Sequence, residues 1–141
     1  MTRNYQEELE RRIAFIQELL KRSGAQGIVY GNSGGKDSAL VGILCRKACD
    51  HVLGVMMPCQ SRRNFGEDME DGRKVAEQFD IPTITVDLTM GKEFFCSQVG
   101  GQVQLSDMAK ANIAPRMRMI TLYAIAQSKN YLVAGTGNRS E

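Results

Sequence analysis

Two hydroxyls, a carboxylate, an amine and three glycines fall within eight consecutive residues, Gly31-Asn32-Ser33-Gly34-Gly35-Lys36-Asp37-Ser38. A short apolar run, Gly27-Ile28-Val29, precedes them, and a helix-like run, Ala39-Leu40-Val41-Gly42-Ile43-Leu44, follows. A strand, a tight glycine turn and a helix start make a cradle for phosphate. Backbone N–H groups at the helix start point at the anion, and the helix dipole favours its charge. Glycines let the backbone approach without a Cβ in the way. The segment is not a Walker A motif, because Tyr30 stands where its first Gly belongs and Asp37 where it needs Ser or Thr. Nor is it a dinucleotide fingerprint, since Ser33 occupies the place of that motif's second Gly. What remains is S-G-G-x-D-S over Ser33–Ser38. Taken alone, the same residues also suit an ordinary turn with a helix cap.

The S-G-G-x-D-S segment resembles the pyrophosphate loop of the N-type ATP pyrophosphatases, which cleave ATP between its α- and β-phosphates. Two further segments narrow the resemblance. Asn112-Ile113-Ala114-Pro115-Arg116-Met117-Arg118-Met119 is similar to the N-I-x-x-R-x-R-M helix start of NAD synthetases, and Gly135-Thr136-Gly137-Asn138-Arg139-Ser140-Glu141 to their G-T-G-N-x-S-E loop. The three keep the family's order and approximate spacing, and the likeness covers nearly the whole chain. It implies ATP-dependent amidation of deamido-NAD to NAD. ATP adenylates the nicotinate carboxyl with release of pyrophosphate, and ammonia then displaces AMP. Such chemistry rests on positioning and charge stabilisation more than on acid–base groups, and no residue is assigned to proton transfer.

The resemblance also implies site residues. ATP phosphates would lie on Gly31, Asn32, Ser33, Gly34, Gly35, Lys36, Asp37 and Ser38, with the Ser33 and Ser38 hydroxyls and the Gly34 and Gly35 amides as donors. Lys36 fills the motif's variable position. Thr136 would touch ATP, and Arg116 would bind deamido-NAD through its guanidinium. Asp37 and Glu141 correspond to the family's magnesium-binding carboxylates; hard oxygens shared with substrate phosphates suit Mg²⁺. In isolation Asp37 reads as a helix-capping carboxylate, and Glu141 and Arg116 as solvated surface charges. Met56, Met57 and Pro58 suit either an adenine wall or simple core packing.

These groups need elements to hold them. Leu9, Ile13, Ile16, Leu19 and Leu20 recur at helical spacing, predicting an amphipathic helix over 5–22 that ends at Ser23-Gly24. A strand at 27–29, a helix over 38–49, a strand over 52–57 closed by Pro58, a helix over 67–79 and a strand over 83–86 follow. The glycines at 91, 100 and 101 predict irregular structure over 90–105. A helix over 112–128 comes next, with Pro115 expected in its first turn, where a missing N–H costs nothing, and then a strand over 132–134. Alternating strands and helices predict an α/β fold, a doubly wound parallel sheet of Rossmann-like type with an N-terminal helix. Ligands in such sheets lie beyond the carboxyl ends of the strands. The loops 31–38, 58–64 and 135–141 are expected there.

At 141 residues the chain is one domain's worth, and 43% hydrophobic with 24% charged residues place it among globular proteins. A formal charge of +2, without a basic run, argues against nucleic acid as a partner. The N-terminus has no apolar core of a signal peptide, and no stretch approaches the ~20 apolar residues of a membrane span. A soluble, cytoplasmic protein is expected. Cys45, Cys49, Cys59 and Cys96 make no C-x-x-C pair. Burial as small hydrophobes suits them better than a metal site built from Cys45, Cys49, His51 and Cys59. NAD synthetases continue past residue 141, so residues 1–141 are expected to form a single domain incomplete at its C-terminus, with weak or absent activity and an uncovered sheet edge. The family's homodimer is implied for this chain. With nothing ahead of the first helix, free ammonia is the expected nitrogen donor, although a separate amidase subunit would serve. Two alternatives stay open: another N-type pyrophosphatase, of the GMP synthetase or tRNA-thiolation type, and a non-catalytic ATP-binding module.

Overall fold

The computed structural model describes residues 2–59 and 65–135. Short apolar runs form its strands: β1 (Gly27–Gly31), β2 (Val52–Met56), β3 (Thr83–Thr85) and β4 (Tyr131–Ala134). Between them lie α1 (Thr2–Ser23), α2 (Lys36–Ala48), α3 (Phe65–Gln78), α4 (Thr89–Gly100) and α5 (Asp107–Lys129). All strand pairs are parallel, in the order β3-β2-β1-β4. The chain leaves β1 toward β2 through α2 and later returns through α5 to the other side of β1. The direction of winding therefore reverses between β1 and β4, which is the switch point where such sheets open a crevice.

Side chains along β1 and β2 alternate between two apolar layers, as the strand period of two requires. Ile28, Tyr30 and Val52 pack with Cys45 of α2 and Ala76 of α3, against Ile16 and Leu20 of α1. Val29, Val55 and Met57 pack on the opposite face with Ala126, Leu122 and Ile125 of α5. Helices thus cover both faces, and the doubly wound reading holds. The Tyr30 ring lies against Gly42: a Cβ there would come within 2.5 Å of its Oη, so only glycine lets α2 approach β1 this closely.

Two expectations are corrected. Residues 90–105 are largely helical as α4, because Gly91 falls in its first turn and Gly100 at its last residue, where glycine weakens a helix least. Helix α5 begins at Asp107, not near Asn112, capped by Ser106, whose side chain accepts from the Ala109 N–H at 3.1 Å. Pro115 therefore lies inside the helix rather than in its first turn. It has no N–H to offer the Ala111 carbonyl.

Helix α5 is longer than the sheet is wide along its strands. Its end is tied to the start of β1, where the Gln26 N–H donates to the Asn130 carbonyl at 2.7 Å and Asn130 Nδ2 to the Gly24 carbonyl at 3.2 Å. Leu122 reaches the other end of the same strand, 3.7 Å from where a Cβ on Gly31 would stand. The part of α5 before Leu122 therefore projects past the carboxyl edge of the sheet, over the crevice.

Candidate phosphate-binding site

The loop from Gly31 to Ser38 begins at the carboxyl end of β1 and enters α2. Asn32 anchors it. Its side chain is only 5% exposed; Nδ2 donates to the Gly72 carbonyl of α3 at 3.2 Å, and Oδ1 accepts from the Gly34 N–H at 3.1 Å. Gly34 takes φ +88, a conformation that disfavours any side chain. Ser38, 3% exposed, ties the loop to the helix. Its Oγ accepts from the Ser33 N–H at 3.2 Å and the Ser33 hydroxyl at 3.1 Å, and donates to the Gly35 carbonyl at 3.2 Å. The Gly35 N–H in turn donates to Ser33 Oγ at 3.3 Å.

The four donors anticipated for phosphate, on Ser33, Ser38, Gly34 and Gly35, thus have partners inside the loop and shape it. The open donors are the next ones along. Gly35 caps α2 with no side-chain bond, so the N–H groups of Lys36, Asp37 and Ser38 have no partner among the described residues. They end in a cleft of about 530 Å³ lined by Ser33, Gly35, Lys36, Asp37 and Ser38. Neither the Lys36 ammonium nor the Asp37 carboxylate has an ion-pair partner among the described residues. Positive dipole, aligned amides and one cation face one cleft, the arrangement an anion requires.

Arg118, quoted in the sequence motif without a role, stands on the same edge. Its Nε donates to the Met57 carbonyl at 3.0 Å, just past the end of β2. Arg116, two residues away and about 200° around the helix, is exposed. Among the described residues its side chain makes no hydrogen bond or ion pair. Met56 and Met57 are buried, one in contact range of Gly72 and the other in the layer under α5, so both fill core. Cys45 and Cys59 are buried on opposite faces of the sheet, which rules out a metal site that uses both. Thr136 and Glu141 lie outside the described residues, as do 60–64 of the second expected loop.

Known proteins are similar to this chain in sequence and fold. A sequence model of the NAD synthase family matches residues 8–141. The NH(3)-dependent NAD(+) synthetase of Carboxydothermus hydrogenoformans is 40% identical over 98% of the chain and 57% of its own length. Among solved structures, the NH3-dependent NAD synthetase of Campylobacter jejuni superposes with a TM-score of 0.85 at 33% identity, covering 95% of this chain and 57% of that one. The NMN synthetase of Francisella tularensis does so with 0.85 at 29% identity, over 94% and 54%. The chain spans little more than half the length of these relatives. With a glycine loop at the switch point and a family match across nearly its full length, the chain belongs to the NAD synthase family.

Proposed function

We propose that this chain carries the ATP-binding half of an ammonia-dependent NAD synthetase, in which deamido-NAD is adenylated by ATP and then amidated to NAD. The observation that carries the proposal is the first turn of α2, whose three amides have no partner among the described residues and face one cleft with Lys36. Those donors would hold the β- and γ-phosphates while the α-phosphorus is attacked by the nicotinate carboxylate. Pyrophosphate leaves, and ammonia displaces AMP from the acyl adenylate. Fixed amides stabilise charge on the leaving pyrophosphate without reorganising, which suits this step. Gly31, Asn32, Ser33, Gly34, Gly35 and Ser38 would give the loop its shape, Thr136 would add an ATP contact, and Arg116 would hold deamido-NAD.

The Asp37 carboxylate, without an ion-pair partner among the described residues, lines the same cleft and fits Mg²⁺, which takes one or two carboxylates together with substrate phosphates. Glu141 is proposed as the second carboxylate. Bound there, Mg²⁺ would offset phosphate charge. No helix among the described residues is long and apolar enough to cross a membrane, in keeping with a proposed cytoplasmic location. The proposal includes a homodimer and no nucleic-acid partner.

The test is NAD formation from deamido-NAD, ATP, Mg²⁺ and ammonium, with AMP and pyrophosphate followed in parallel. Because one similar structure is an NMN synthetase, nicotinic acid mononucleotide is assayed beside deamido-NAD. NAD rising in step with AMP supports the proposal. MgATP binding without turnover on either acceptor supports only a nucleotide-binding module, and absence of MgATP binding rejects the reading.

A further inference from the structure

Arg118 is a half-buried cation whose partner is a carbonyl. Its Nε–H serves Met57, and the other four guanidinium donors have no partner among the described residues. A carbonyl satisfies one donor but leaves the charge uncompensated, and a partly buried charge calls for an anion. The position of that charge follows from register. β1 and β2 pair with Gly31 opposite Val55, and the Asn32 N–H donates to the Val55 carbonyl at 2.8 Å. Met57, two residues further on, is therefore level with Ser33 of the phosphate loop. Helix α5 gives the same height independently. Leu122 approaches Gly31, and Arg118 lies four residues, about 6 Å, further out. The guanidinium thus stands above the sheet edge at the height of the loop, on the α5 side, while the first turn of α2 faces the crevice from the other side.

We infer that Arg118 closes the crevice opposite α2 and binds the polyphosphate of a nucleoside triphosphate, with its Nε–H fixed on Met57 and its outer N–H groups on phosphate oxygens. The inference rests on the ATP-binding reading above. The planar fork is suited to this double task, since one edge docks on the protein and leaves the rest pre-aimed. The Arg118–Met57 bond also orders α5 against the end of β2, so a purely structural role is the competing account, and the experiment separates the two.

Affinities for MgATP and for inorganic tripolyphosphate are measured by calorimetry at two ionic strengths for the wild-type chain, R118Q and R118K, with thermal unfolding of each. In R118Q the amide can still donate to Met57 while the charge is gone. The expected result is about 10- to 100-fold weaker binding of both probes, with a shallower salt dependence. R118K, which keeps the charge but not the fork, loses less than R118Q. Unchanged binding in R118Q overturns the inference. So does an equal loss in R118K and R118Q that comes with an equal fall in thermal stability, because disturbed packing of α5, and not the missing charge, would then explain the effect. A wild-type chain that binds neither probe overturns the ATP-binding reading itself, and the inference with it.

Discussion

Ser38 joins three hydrogen bonds that hold the phosphate loop closed on its helix. S38A would leave the Ser33 N–H and Gly35 carbonyl without that partner at a site only 3% exposed. Loss of about 1–3 kcal/mol of stability is expected, together with weaker MgATP binding because Lys36–Ser38 would no longer be pre-set. Urea unfolding and calorimetry check the two parts. Two buried acids tie stability to alkaline pH. Burial, helped by nearby Cys49, pushes the Cys45 thiol from an ordinary 9.0 to about 12. Burial, helped by Cys45, pushes the Tyr30 hydroxyl from 10.0 to about 12. Both groups are neutral when protonated, and the folded chain keeps these protons longer than the unfolded one. Their contribution is complete below about pH 9 and is lost as pH rises toward 12. Urea midpoints should fall through that window, and C45A should remove part of the slope. The sequence showed which residues make the loop but not which donors stay open. Asn32 and Ser38 are ordinary polar residues until the fold brings Gly72 and Gly35 to them.

Helix α5 shows why element boundaries are harder to read than element types. Ser106-Asp107 is a helix-start signal, but the later Asn-Ile-Ala-Pro reads as a start too, because proline is usual in a first turn. The chain uses the earlier cap and carries Pro115 through the interior. A proline in a helix interior costs ~3 kcal/mol relative to alanine. P115A at this exposed position should therefore stabilise the chain by up to about that amount, and thermal unfolding measures it. α4 escaped notice for another reason. None of its residues is buried, so its apolar side chains mark no core-facing stripe. The strands were legible because Ile28, Val29, Val52 and Val55 lie in dense apolar runs bounded by glycine, histidine or proline. Their order was legible only as a class, since β3-β2-β1-β4 is fixed by crossovers between distant segments.

At the scale of the molecule, α4 leaves Met90, Phe94 and Phe95 at 80%, 67% and 50% exposure. Surface this apolar favours contact with another chain. The proposed homodimer predicts twice the 15.6 kDa chain mass by light scattering at micromolar concentration, and F94E tests whether α4 takes part by shifting that mass toward the monomer. The fold class and the cradle were legible together, because the glycine turn and the alternation of strands and helices report the same crevice. Arg118 was not, since its meaning depends on where α5 passes β2.

That passage also has a mechanical side. Helix α5 is held at one end, where Asn130 meets Gly24 and Gln26, and tied far from it, where Arg118 meets Met57. At the helical rise the two ties are about 18 Å apart. A tilt of roughly 5° about the first would swing the second through about 1.5 Å, enough to break a hydrogen bond of ordinary length. A bond so far from the pivot resists rotation with a long lever arm, alongside the packing of Ala114 and Met117 on the same stretch. It makes α5 a braced beam over the crevice, and cutting that brace should loosen the whole projecting arm while leaving its root in place.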